Sequence, residues 1–208
     1  AIDTLCFFGL SDSPLVGTIR HGDLHHIEWN ADFYSGEFVV DLPGEHKITD
    51  LQRVTPTISR SNFDVTISAL IETKLGSITK TIIFSGGDEP KLTMKYHVNW
   101  DKIPPCTMRF GDIVLVPGSF DRSTLFVETH NGGLQRDRFT LDCVEADHGK
   151  YWSPLISARN CFGMTEGELI IGDRSKAILV TVEKSLSSIP ALLTNVHVID
   201  SYFTRIQF

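Results

Sequence analysis

The sequence predicts an all-β protein, a large antiparallel two-sheet sandwich in which residues 1–208 form one domain. Three observations carry this expectation. Apolar and polar residues alternate with a period of two over several stretches, the mark of a half-buried strand. Clusters of Gly, Pro, Asn, Asp and Ser separate those stretches at short intervals. A helical period is sustained nowhere, and only Ser153 to Asn160 suggests a helical turn. About ten strands at this spacing suit a large sandwich better than a small barrel.

The elements follow in order. Gly36 to Leu42 is the first strand candidate. From Phe63, the residues Val65, Ile67, Ala69 and Ile71 alternate with Asp64, Thr66 and Ser68. Leu75-Gly76-Ser77 punctuates, and Ile78 to Phe84 follows, rich in the β-branched residues that suit a pleated surface. Ser85 to Pro90 is a loop by composition; then Leu92, Met94, Tyr96 and Val98 alternate with polar neighbours up to Asn99. These three strands read as a meander with one face in a core and one toward water or a ligand. Met108 to Val116 is read as one strand, ended by Pro117-Gly118. Thr124 to Thr129 and Phe139 to Val144 flank the turn-like Asn131-Gly132-Gly133. Glu168 to Ile171 and Ala177 to Val182 flank the hairpin-like Gly172-Asp173-Arg174-Ser175, and Leu192 to Ile199 and Tyr202 to Phe208 complete the series. No internal repeat is evident.

Composition narrows the function classes. Hydrophobic residues make up 41% and charged residues 22%, an ordinary globular balance that argues against disorder. The net charge of −7 argues against nucleic acid or an anionic membrane as partner, since both require a basic surface. No apolar run approaches the roughly 20 residues of a membrane helix. Cys6, Cys106, Cys143 and Cys161 lie far apart without a CxxC pair and read as buried thiols. Ala1-Ile2-Asp3 follows no basic segment, so no signal peptide is visible and a cytoplasmic location is expected. Both ends read as cuts in a longer polypeptide.

The densest polar cluster is His21-Gly22-Asp23-Leu24-His25-His26-Ile27-Glu28-Trp29. In an extended segment His26 and Glu28 share a face. Three readings stand: a metal site, for which the spacing matches no established pattern; a polar loop bonded to backbone; and a sugar or proton-transfer site. Trp29, Phe33 and Tyr34 beside Asn30, Asp32 and Glu37 offer aromatic faces with carboxylates, the combination that holds sugars. Trp100-Asp101 and Tyr151-Trp152 repeat it, and the alternative for each aromatic is a strand-end ring covering the core. His25, His26, Glu28 and Trp29, with Trp100 and Asp101, are the ligand-binding candidates. His97 with a carboxylate of a neighbouring strand, or Glu128 with His130, could supply an acid and a base. No GxSxG elbow, GxGxxG or phosphate-binding loop occurs, and no cofactor or metal is expected.

Ile78 to Phe84, the loop to Pro90, and Lys91 to Asn99 resemble the paired strands of galactose-mutarotase-like supersandwich domains. Such domains follow the catalytic domain in glycoside hydrolases of the α-mannosidase and α-amylase/4-α-glucanotransferase types. Asn131 to Phe139 is similar to a Gly-Gly hairpin of the same domains, and Tyr34 to Glu37 with Ile48 to Leu51 to their opening strands. The resemblance covers most of the chain through short patterns, none of them catalytic. It implies an accessory carbohydrate-binding or cleft-shaping domain, with an oligosaccharide and a catalytic domain of the same polypeptide as partners. A stand-alone aldose epimerase using a histidine and a glutamate is the alternative, with His97 and Glu128 as candidates by chemistry. A non-catalytic structural or protein-interaction sandwich is the third possibility; it requires an exposed apolar patch.

Overall fold

The computed structural model describes residues 1–23, 32–141, 160–185, 189–198 and 201–208. Among them are seventeen strands and no helix. In chain order these are β1 (Thr4–Leu5), β2 (Val16–Gly17), β3 (Phe38–Asp41), β4 (Ile48–Thr49), β5 (Thr57–Arg60) and β6 (Asp64–Thr73). Next come β7 (Gly76–Ser85), β8 (Lys91–Trp100), β9 (Thr107–Phe110), β10 (Ile113–Val114), β11 (Phe126–Thr129) and β12 (Asp137–Thr140). The last are β13 (Asn160–Phe162), β14 (Glu168–Gly172), β15 (Ala177–Thr181), β16 (Ala191–Val198) and β17 (Ser201–Gln207). Every strand pairing is antiparallel. The all-β class is therefore as the sequence indicates.

The chain divides into two compact units: Ala1 with Gly36–Gly111, and Ile2–Ser35 with Asp112–Phe208. The first is thus an insertion into the sequence of the second, where the sequence alone suggests one undivided domain.

The inserted unit contains a sheet in the order β5-β6-β7-β8 and another in the order β4-β3-β9. In the first, Ile71 pairs with Ile78 and Ile78 with Val98, so one face carries Val65, Ile67, Ala69, Ile71, Ile78, Lys80, Ile82, Phe84, Leu92, Met94, Tyr96 and Val98. The meander is as the alternation indicates, but its apolar face is only partly covered. Ile71 and Ile78 are buried against Phe38, Val40, Leu42 and Ile48, with Tyr96, Val98 and Trp100 packed at the margin. At the other end Val65, Ile67, Ile82, Leu92 and Met94 are half-buried. Length explains this. A ten-residue strand is about 33 Å long and a four-residue strand about 13 Å, so β3 and β9 can cover only part of β6–β8. Gly76 starts β7 at φ 131, and a Cβ there would meet the Asn99 carbonyl at 2.4 Å, which explains glycine at this tight connection.

The other unit contains sheets in the orders β10-β17-β16-β13 and β12-β11-β14-β15, and the small pair β1-β2. One hydrophobic cluster takes Leu193, Tyr202 and Ile206 from the first sheet, and Val127, Leu169 and Ile171 from the second. The Tyr202 hydroxyl accepts from the Phe120 amide at 2.9 Å and lies 3.2 Å from the Ser119 hydroxyl. Burial pushes this phenol above its ordinary pKa. Ser35 Oγ accepts from the Val114 amide at 2.9 Å, joining the residue before the insertion to a strand just after it.

Several expectations are corrected. Met108 to Val116 is two strands, since Gly111 turns the backbone at φ 66 between β9 and β10. Thr140 ends β12, and Ser153 to Arg159 and Val144 lie outside the described residues. Cys6 and Cys106 are half-buried, Cys106 packed against the core of the inserted unit, and Cys161 is exposed, so none of these three is fully buried; Cys143 lies outside the described residues. Two turns also share the tripeptide Asp-Arg-Ser. Asp121-Arg122-Ser123 and Asp173-Arg174-Ser175 each form one turn in which the aspartate accepts from the serine amide and hydroxyl, at 2.9 and 2.7 Å in the first and 2.7 Å twice in the second. The two turns meet, because the Asp121 amide donates to Asp173 Oδ2 at 2.7 Å and the Arg174 amide to Thr124 Oγ1 at 3.3 Å.

Candidate functional site

The strand register of the inserted unit builds a polar surface opposite the apolar face just described. Ser59, Thr66, Ile83 and Thr93 form one cross-strand row, and Thr57, Ser68, Thr81 and Lys95 the next. Leu70, Thr79 and His97 form a third, and Glu72, Ser77 and Asn99 a fourth. Lys95, His97 and Asn99 are exposed along β8. Ser68 and Thr81 lie 3.2 Å apart, hydroxyl to hydroxyl. Period-two alternation creates this arrangement, because threonine suits a strand while its hydroxyl faces water. The surface offers hydroxyl, amide, imidazole and ammonium groups and the Glu72 carboxylate, a set able to hydrogen-bond a polyhydroxylated ligand.

The acid–base candidates His97 and Glu128 belong to different units. Among the described residues β8 pairs only with β7, which carries no carboxylate, so His97 has no acidic partner on that strand. Glu128 belongs to the other unit, on β11, where its carboxylate accepts from Arg138 Nε at 2.9 Å across the β11–β12 pair. The Arg138 guanidinium also lies 3.8 Å from the Phe126 ring centre. His130 directs Nδ1 at the Gly133 carbonyl, 3.4 Å away, and Asn131 Oδ1 accepts from the Gly163 amide at 2.7 Å. Their polar atoms thus hold the loop after β11.

Trp100 packs at the margin of the core of the inserted unit, and its Nε1 is buried with no hydrogen-bond partner among the described residues. The strand-end packing role therefore describes it better than a free aromatic platform. Asp101 follows it and is exposed. His25, His26, Glu28 and Trp29 lie outside the described residues, as do Tyr151 and Trp152. Of the same polar segment, Asp23 accepts from the Arg20 amide at 2.8 Å and so caps a turn. Asp32 accepts from the Tyr34 hydroxyl at 2.7 Å and the His21 amide at 2.6 Å; these bonds, the tyrosine's first, hold its carboxyl below the ordinary carboxylate range. Among the described residues no group of three or more His, Cys, Asp or Glu could hold a metal ion, and no helix is long and apolar enough to cross a membrane.

Sequence reasoning missed a buried ion pair on the apolar face of β7. Lys80 Nζ donates to Asp50 Oδ2 and to the Gly36 carbonyl, while Asp50 Oδ1 accepts from the Phe38 amide at 3.1 Å. The Tyr96 hydroxyl donates to the same Gly36 carbonyl at 2.9 Å. The one available signal was a lysine on the apolar side of an alternating strand.

No protein-family model matches the chain, and no curated protein or solved structure matches it.

Proposed function

We propose that the chain is a non-catalytic accessory module of a carbohydrate-active enzyme, a glycoside hydrolase by the resemblance, that contacts saccharide through the polar face of β6–β8. The observation that carries this is the exposed series Lys95, His97 and Asn99 beside the hydroxyls of Thr79, Thr81 and Thr93. The finer fold belongs to the same proposal. A supersandwich gains support from the cluster that the β10-β17-β16-β13 and β12-β11-β14-β15 sheets share. The epimerase alternative ranks behind, because Glu128 is engaged by Arg138 and no acid stands beside His97 on β7.

Calorimetric titration with a panel of mono- and oligosaccharides tests the proposal. Saturable binding is expected, with loss of at least about tenfold in affinity in a His97→Ala/Asn99→Ala variant that melts as the wild type does. No saturable heat across the panel would sink it.

The second reading, a non-catalytic protein-interaction module, is favoured by a separate observation. Ile58 is 56% exposed, Phe63 75% and Phe84 37%, at the uncovered end of the same sheet. Grouped apolar side chains of this size mark interaction surfaces. A negative titration would leave this reading in place.

A further inference from the structure

We infer that the β5–β8 sheet pairs with that of a second copy of this chain through the edge strand β8, with the two-fold axis at Tyr96. The inference goes beyond both readings above and depends on neither, since it uses the edge of the sheet.

The two edges of this sheet are built differently. β5 has four residues, follows Pro56 and ends in Arg60, the shortness and charge that protect a sheet edge. β8 has ten residues, and its only strand partner among the described residues is β7. A strand of that length paired on one side exposes a row of amides and carbonyls suited to another strand. Two copies related by a two-fold axis give an antiparallel, isologous contact.

Chemistry selects the register. Side chains of paired residues share a face, so a symmetric contact is centred on one residue, and residues equally distant from it face each other. Overlap is greatest when the centre is Lys95 or Tyr96. Centring on Lys95 places two ammonium groups opposite each other, a destabilising arrangement. Centring on Tyr96 places Lys91 opposite the other copy's Asp101, twice in the dimer, and both residues are exposed. It also sets Lys95 against an imidazole and Thr93 against the Asn99 amide. On the apolar face it sets Leu92 against Trp100 and Met94 against Val98, adding apolar neighbours for two side chains that are half-buried in one copy.

Sedimentation equilibrium over a concentration series up to about 0.5 mM, with charge reversal, tests this. The wild-type chain is expected to form a reversible dimer. Lys91→Glu and Asp101→Lys should each weaken it by roughly tenfold or more, because two opposed pairs become repulsive. The double variant should return to within about threefold of the wild type. Both positions are exposed, so circular dichroism, and melting at concentrations where every variant is monomeric, should be unchanged. A wild-type chain that stays monomeric over the whole series overturns the inference. So does a dimer indifferent to the single substitutions, or a double variant weaker than either single.

Discussion

At the scale of single residues, the buried ion pair decides most. Lys80 and Asp50 have side chains 7% and 0% exposed, and each has a further hydrogen bond, to the Gly36 carbonyl and from the Phe38 amide. Two charges removed from water cost several kcal/mol each, and only a close, fully bonded pair offsets that. Removing one partner strands the other. Lys80→Met and Asp50→Asn are each expected to lower unfolding free energy by about 3 kcal/mol or more in urea titrations. The double variant should lose clearly less than the sum, since it leaves no isolated charge. Little of this was legible in the sequence. Lys80 could be placed on the apolar side of its strand by counting in twos, but Asp50 lies thirty residues away on no periodic element. Glu128 is the converse case, a carboxylate whose partner is a cross-strand arginine that no local pattern announces.

At the scale of elements, legibility follows length. The three ten-residue strands β6, β7 and β8 carry enough alternation to be read directly, and their loop at Gly86 to Pro90 is where composition puts it. β1, β2, β4 and β10 have two residues each, too few for any period, and their pairing is set by distant partners. Turn chemistry made Gly172 to Ser175 legible, yet its likeness to Asp121 to Ser123 emerges only from the shared hydrogen bonds. Burial tends to raise the Asp173 carboxyl, but bonds from the Asp121 amide, from Ser175 and from the Lys176 amide bring it below the usual range. A depressed pKa in the folded state contributes stability above the unfolded value and loses it as pH falls through the folded one. Asp173→Asn should therefore destabilise the chain at neutral pH. The gap to the wild type should narrow as pH drops below about 4, where unfolded aspartate begins to protonate. Melting temperatures measured from pH 7 to pH 3 check both parts.

At the scale of the whole chain, one compact unit interrupts the sequence of the other. Nothing in composition marks the joints at Ser35–Gly36 and Gly111–Asp112, because the strand patterns run up to both and the change of sheet falls inside what reads as one strand. The flanking unit nevertheless shows how it could dispense with the insertion. Its cluster draws Leu15 and Val16 from before the insertion and Leu115, Val127 and Leu193 from after it, so the two segments fold as one. Val16 bridges Leu115, and Ser35 Oγ holds the Val114 amide. Ser35 is thus hydrogen-bonded to a residue two positions beyond Asp112, and the ends that an excision would leave lie within reach of a short link. A trans peptide advances the chain by about 3.8 Å per residue, so roughly three glycines between Ser35 and Asp112 suffice, at a small closure cost. The shortened chain should keep a β-type circular dichroism spectrum and a single cooperative unfolding transition. Tyr202 should stay buried, which near-ultraviolet circular dichroism reports. Loss of cooperativity would mean that the cluster needs the inserted sheets, and that the two units are a single folding unit.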